Sequence, residues 1–339
     1  MRLPLKPNRI TFAIVAFILI LFALKSYNNQ NGHTRNHIND PLYNYEITSA
    51  IDFEYLASVV SNLNETGFTN YIVPNVVHYV RFEDHYVDFV MYVSIKSVLL
   101  NQQPDQIVIH CDCNQLRGKY WDLLAAENAI SNVISVQKLD RPIKVFNQPL
   151  SSVYHASDIA RIMILLEHGG IFLDNDVYIV KSLDQFRKYE LSLGWPEGEF
   201  LGTQVITAHK DARFLKRWLQ SYENNYKPEK WYYNAGERPT KEILEKQPSI
   251  IHRVREEFGV HMLVPFLYKE NWPSTVWRSK FFAVHLLSRH RGYLAMEKGA
   301  PSLFDETNIQ TYNRTFGSMA RDVLFGTTDL ITTPASDHS

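Results

Sequence analysis

Residues 10–24 (ITFAIVAFILILFAL) are apolar apart from Thr11 and carry no charge. The run is short for a ~20-residue span, but Lys25 can snorkel at its end. Polar residues then dominate residues 26–40 (SYNNQNGHTRNHIND) with no sustained apolar period, the pattern of a stalk. From Tyr71 onward the periods alternate. Residues 71–80 are β-branched and aromatic and predict a strand, and residues 86–100 are spaced for a helix that Asn101-Gln102-Gln103-Pro104 ends. Residues 106–111 predict a strand, 119–128 a helix and 133–136 a third strand. Residues 155–168 bury Ile159, Ile162, Met163, Leu165 and Leu166 on one helical face, Gly169-Gly170 supply a left-handed stop, and Ile171-Phe172-Leu173 follow as a strand. Strands alternating with helices predict an α/β domain with a mixed, mostly parallel central sheet flanked by helices, its ligand at the carboxyl ends of the strands.

Composition narrows the partners. The 339 residues are 45% hydrophobic, enough for a real core. Lys plus Arg number 35 against 36 Asp plus Glu, so there is no basic field for a nucleic-acid backbone. The cationic flank Arg2, Lys6 and Arg9 precedes the apolar run, and Lys25 stands where a signal-peptidase site needs a small residue. The organisation expected is a cytoplasmic tail over 1–9, a signal anchor over 10–24, a lumenal stem over 25–70 and a catalytic domain over 71–339, as in a single-pass type II membrane protein. The sequons at Asn64 and Asn313 suit N-glycosylation on the lumenal side. Cys111 and Cys113 lie two apart on an expected strand, where side chains face opposite ways, and read as a buried free pair.

The chemistry concentrates at Asp174-Asn175-Asp176, three polar residues at the carboxyl end of an apolar strand. Two carboxylates this close are costly to desolvate, so a cation belongs between them. Asp158 and Arg161, at i and i+3, share the face of the preceding helix that looks into the same crevice. A cation-bridged diphosphate is the simplest occupant, with arginine meeting phosphate or hydroxyl.

The block SDIARIMILLEHGGIFLDND, residues 157–176, resembles the DXD-containing glycosyltransferases of the sugar-binding-region family. These include fungal α-1,6-mannosyltransferases and animal α-1,4-galactosyltransferases, and the block is also similar to the clostridial-toxin glucosyltransferase core. The likeness is strongest over residues 154–185 and reaches more faintly to residues 73–78. It implies a GT-A-like nucleotide-sugar transferase fold in a Golgi enzyme that retains the α configuration. It implies that Asp174 and Asp176 bind a divalent cation, manganese first and magnesium second, and through it the diphosphate of a UDP- or GDP-sugar. It also implies that Asp158 and Arg161 contact donor sugar and phosphate, with His78 and Tyr79 among the donor-binding residues. Residues 283–286 (AVHL) resemble a late A-V-H segment whose histidine, here His285, approaches the metal. Arg81 stands where the family has a tryptophan near the base, which leaves UDP and GDP both open.

The aromatic loop with Trp231, Tyr233, Asn234 and Glu237 is suited to stack on and bond a carbohydrate-bearing acceptor, whether glycan, glycolipid or glycoprotein. Gly202-Thr203-Gln204 could border the expected donor pocket or simply begin a strand at Val205, and Arg289 and His290 could join His285 as a cationic group at the diphosphate. No general base or nucleophile is assignable. Other classes share pieces of the pattern. A dehalogenase-type phosphatase also begins with an apolar strand ending D-x-D, but no later paired-acid motif follows a glycine. An EF-hand loop fails at Ile179 and Gln185, where glycine and glutamate are required. An inactive lumenal sugar-nucleotide or carbohydrate-binding protein would keep the fold without turnover.

Overall fold

The computed structural model describes residues 49–127, 130, 132–260, 263–294 and 300–332. The expected tail and anchor, and the stem as far as residue 48, lie outside the described residues. Among the described residues, no helix is long and apolar enough to cross a membrane.

Among those residues the chain forms strands β1 (Val76–Arg81), β2 (Gln106–Cys111), β3 (Ile134–Lys138), β4 (Lys144–Val145), β5 (Gln148–Pro149), β6 (Gly170–Leu173), β7 (Val177–Ile179), β8 (Leu191–Gly194), β9 (Gly202–Ala208), β10 (His252–Val254) and β11 (Ala283–His285). Seven of them make one sheet in the order β10-β8-β9-β6-β1-β2-β3. It is mixed and mostly parallel: only β9 runs against its neighbours, β6 and β8. The chain leaves β1 toward β2 and β3, then returns to lay β6 on the other side of β1. That reversal opens a crevice at the carboxyl ends of β1 and β6, because the connections on either side leave in opposite directions.

Local chemistry explains the elements that frame the crevice. Asp88 caps the Phe89–Asn101 helix by accepting from the Met91 amide at 2.8 Å, so the helix starts three residues later than hydrophobic spacing alone predicts. Ser152 caps the Val153–His168 helix by accepting from the His155 amide. At the other end Gly169 (φ 67°) and Gly170 (φ 110°) turn the chain into β6, and a Cβ on Gly170 would sit 2.7 Å from the Val76 carbonyl oxygen. The first strand begins at Val76 rather than Tyr71. Pro74 offers no N–H to a ladder, and Ile72 and Val73 are buried in a separate apolar cluster.

Both sheet faces are covered. On one, Ile159, Ile162 and Leu165 of the Val153–His168 helix pack with Val80, Phe172, Ile206 and Trp218. On the other, Met91, Ile95 and Val98 meet Val77, Tyr79, Ile171 and Phe258. A third cluster around Tyr178, Trp277, Phe266 and Phe316 ties the C-terminal helices to β7 and β11.

Three expectations from the sequence are corrected. Residues 49–70, expected in the stem, are folded into the domain: Ile51, Phe53, Leu56, Leu63 and Phe68 are buried together with Ile72 and Val73. Within this segment Asn64 is only 3% exposed, and its side-chain Nδ2 donates to Glu190 Oε2 and to the Ser249 carbonyl, leaving no room for a glycan in the folded chain. Asn313, by contrast, is exposed. Cys111 and Cys113 are joined as a disulfide with 5.0 Å between their Cα atoms. Strand alternation does not separate them because β2 ends at Cys111 and the chain has already turned at Asp112.

Glu190 is fully buried and accepts from Arg213 through its amide, Nε and Nη2 and from Asn64. Removing one partner of such a pair leaves an uncompensated charge. Glu190→Ala is therefore expected to lower unfolding free energy by about 3–5 kcal/mol in denaturant titration. Three buried histidines set the acid limit. Burial, followed by repulsion from His110 and His168, holds His78 down to about 3. Burial holds His110 and His209 to about 4, with His168 adding to the shift at His110 and Lys210 and Lys216 adding at His209. Above the unfolded value of 6.5 both states carry these rings neutral; below it the unfolded chain protonates first. The stability contributed by these three rings is expected to be fully present above pH 6.5 and to be lost as pH drops toward 4, partly offset by the raised Asp158 carboxyl, with His110→Asn flattening the slope. A midpoint independent of pH in that window would refute it.

Candidate active site

The carboxyl end of β6 delivers the acidic triplet to the crevice. The Asp174 amide donates to the Gln204 carbonyl on β9 at 3.0 Å, and the Val177 amide closes the turn onto the Asp174 carbonyl at 3.1 Å. Asn175 Nδ2 donates to the Val80 carbonyl at 2.9 Å and so locks the triplet to the end of β1. After the turn, β7 pairs antiparallel with β11, which sets His285 opposite Val177.

Five of the expected residues form two charged groups here. Arg161 Nη2 lies 3.2 Å from Asp158 Oδ1 and 3.2 Å from Asp174 Oδ1, while Nη1 donates to the Thr203 carbonyl at 2.7 Å. The guanidinium carbon stands 4.7 Å over the Phe172 ring. Arg161 is thus committed on several sides to protein, and it positions Asp174 as much as it could meet a phosphate. Burial is the largest influence on Asp158 and pushes its carboxyl up to about 7; the Asp174 charge adds to the rise and Arg161 opposes it. Asp176 Oδ1 accepts from His285 Nε2 at 3.0 Å. Burial works against both charges, but the pairing outweighs it: Asp176 is held below the usual carboxylate range, and His285 above the usual imidazole range with help from Asp174.

The side chains of Asp174 and Asp176 keep 27% and 26% exposure, so both face the solvent of the crevice. Among the described residues their ion pairs engage Oδ1 of each. At the centre of the turn Asn175 Oδ1 is buried without a hydrogen-bond partner. Two accessible carboxylates at a strand end are the hard oxygen donors that suit magnesium or manganese, so the residues present fit such an ion. His285 Nε2 donates to Asp176, and the ring acts here as the cationic partner of that carboxylate.

Other expected residues lie elsewhere. His78 and Tyr79 are buried in β1. His78 bonds His110 Nε2 and the Gly169 carbonyl, and the Tyr79 hydroxyl meets Ser94. Alternation along β1 turns Val77 and Tyr79 to one core and His78 to the other face. Asn234 is buried and structural: its side chain exchanges two hydrogen bonds with the Lys227 backbone. Glu237 pairs with Lys241, and Lys230 stands over the Tyr233 ring. Trp231 does stand at the surface, 61% exposed and edge-on to Tyr154 at 4.4 Å. Arg289 donates to the Tyr154 hydroxyl at 2.8 Å, and its charge helps hold Asp176 down.

Not foreseen from the sequence are Asn175 as the clamp on β1 and Tyr232 as a buried loop aromatic that feels the Asp158 charge. Tyr232 donates to the Leu201 carbonyl, and its hydroxyl is pushed up chiefly by burial and then by Asp158. Its position between the two aromatics singled out was the available signal.

Residues 90–193 match the family model described as glycosyltransferase sugar-binding region containing DXD motif. The matched segment holds Asp158, Arg161, Asp174 and Asp176. Among curated proteins, the chain is similar to glucan organizing enzyme 1 of Cryptococcus neoformans var. grubii serotype A, at 28% identity over 172 residues. That similarity covers 45% of this chain and 44% of the relative, so the chain matches less than half the relative's length. Among solved structures it is similar to the galactosyltransferase LgtC with donor and acceptor sugar analogs, at TM-score 0.41 and 12% identity over 66% of this chain and 98% of that one. It is also similar to the PaToxG glycosyltransferase, at TM-score 0.34 and 15% identity over 52% and 70% of the two chains. At such scores the roles of individual residues rest on the geometry above.

The shared guanidinium is the feature whose loss should be felt first. Arg161→Met removes the cation between Asp158 and Asp174 and is expected to cost about 3–5 kcal/mol of stability, because the buried Asp158 then faces the half-buried Asp174 with no cation between them. Pairing it with Asp158→Asn should restore part of that loss. Chemical denaturation of the single and double variants measures both, and a double variant no more stable than Arg161→Met would contradict the shared-charge arrangement.

Proposed function

We propose that the chain is a metal-dependent glycosyltransferase that moves a sugar from a nucleotide-sugar donor to a carbohydrate-bearing acceptor with retention of the α configuration. The observation that carries this reading is the pair of partly exposed carboxylates, Asp174 and Asp176, held at the carboxyl end of β6 by partners on three other elements. The family match over residues 90–193 supports it.

Asp174 and Asp176 would hold the cation, manganese in this proposal with magnesium as the alternative. When bound, such an ion supplies positive charge against a departing diphosphate. The chain's own residues do the positioning. Arg161 holds Asp174 at a fixed angle to the crevice and keeps Asp158 within reach of a donor sugar. Asp158, near 7, can stand as a neutral acid and donate to a sugar hydroxyl, which an ordinary carboxylate cannot. His285 and Arg289 add positive charge beside Asp176, where diphosphate charge builds on leaving-group departure. The exposed edge-to-face pair of Tyr154 and Trp231 offers the acceptor an aromatic surface of the kind sugar rings stack on. The apolar run 10–24 supports a type II anchor with the domain in the Golgi lumen.

Asp174→Asn and Asp176→Asn keep shape while removing charge. Each is expected to reduce manganese-dependent donor hydrolysis and transfer by at least about 100-fold, comparable to removal of an electrostatic transition-state group. A panel of UDP- and GDP-sugars, read by thermal shift and by donor hydrolysis, measures this and identifies the base. Undiminished transfer by both variants would end the proposal. Donor binding without hydrolysis or transfer in the parent chain would favour a binding protein.

A further inference from the structure

A second cluster of metal-ligating side chains lies outside the acidic triplet, at the carboxyl ends of β1 and β2. Cys111 Sγ, Cys113 Sγ and a ring nitrogen of His85 all lie within 4.8 Å of one another. Asp112 gathers them: its two oxygens accept from the Glu83 amide at 3.1 and 3.2 Å, and Oδ1 accepts from His85 Nε2 at 2.7 Å. A carboxylate can only accept, so Nε2 donates, which leaves Nδ1 as the ring nitrogen for a cation. The Arg117 amide fixes the same residue by donating to the His85 carbonyl at 3.0 Å.

We propose that Cys111, Cys113 and His85 form a binding site for a zinc-class divalent cation, open when the Cys111–Cys113 disulfide is reduced. The bond as a staple offers little. It spans a separation of two residues, and the entropy a cross-link removes from the unfolded chain is smallest for such short loops. The same three groups make a coherent donor set for a soft ion. Two thiolates and one imidazole, with an open fourth position for water, are a zinc set, whereas the oxygen-rich crevice at Asp174 and Asp176 suits manganese or magnesium. Asp112 then has the role of the outer carboxylate that orients a ligating histidine.

The chemistry balances with a dithiol reductant. Its two S–H groups are oxidised to a disulfide, and two electrons and two protons pass to the sulfurs of Cys111 and Cys113 as their S–S bond breaks. Cation binding then displaces those two protons to solvent. The site abuts the donor crevice through one short segment. Arg81, at the end of β1, donates to Asp84 and to the Tyr86 carbonyl, and the neighbouring Val80 carbonyl holds Asn175.

The full chain, reduced with dithiothreitol and desalted without air, is titrated with cobalt(II). One equivalent is expected to give sulfur-to-cobalt charge-transfer absorption, which carboxylate sites cannot produce, and zinc should displace it. The oxidised chain should give none. His85→Ala should weaken cobalt binding by about tenfold or more, and Asp112→Asn by about 10- to 100-fold. Absence of the band in the reduced parent would overturn the proposal, as would unchanged affinity in His85→Ala. His85 is only half-buried, so that variant decides the matter even if replacing the buried Cys111 impairs folding.

Discussion

One guanidinium shared by two carboxylates holds the crevice together. Arg161 sits 3.2 Å from both Asp158 and Asp174 with a further bond to the Thr203 carbonyl, and it is almost wholly buried. Through these contacts the helix Val153–His168, the end of β6 and the start of β9 are fixed to one another. Charge neutrality is incomplete, since one cation serves two acids. The excess falls on Asp158, whose carboxyl rises to about 7, and leaves Asp174 partly exposed as the acid available to a ligand. Stability and readiness to bind thus come from the same unequal pairing.

A second pairing repeats that logic on the other side of the turn. Asp176 and His285 hold each other charged although burial opposes both. Asn175 between the two acids spends its amide on the Val80 carbonyl, so the acids project from a turn that cannot easily shift relative to β1. The crevice therefore has a rigid acidic floor and a cationic wall from the C-terminal segment, a layout in which a diphosphate bridged to an ion would meet opposite charge on each side. The redox-sensitive loop carrying Cys111, Cys113 and His85 borders this floor at the end of β1, which brings a soft-donor group and a hard-donor group to neighbouring strand ends of one sheet.

Much of this was legible before any coordinates. The helix ending at Gly169-Gly170, the short strand after it and the acidic triplet beyond are all local: apolar period, glycine conformation and strand length act over a few residues. So was the shared face of Asp158 and Arg161, which follows from 3.6 residues per turn. The domain's start was not legible, because residues 49–70 are stabilised by partners such as Glu190 and Ser249, more than a hundred positions away.

The sequence by itself determined the alternation of strands and helices, the triplet at a strand end and the acid–arginine face before it, since each depends on neighbours within a turn or two. Only tertiary structure decided which groups meet across the fold. It took β11 pairing with β7 to bring His285 to Asp176, strand alternation to bury His78 and Tyr79 on opposite faces of the sheet, and a turn at Asp112 to let Cys111 reach Cys113. Those outcomes depend on strand order and on where a strand stops, and both are settled by contacts between segments far apart in the chain.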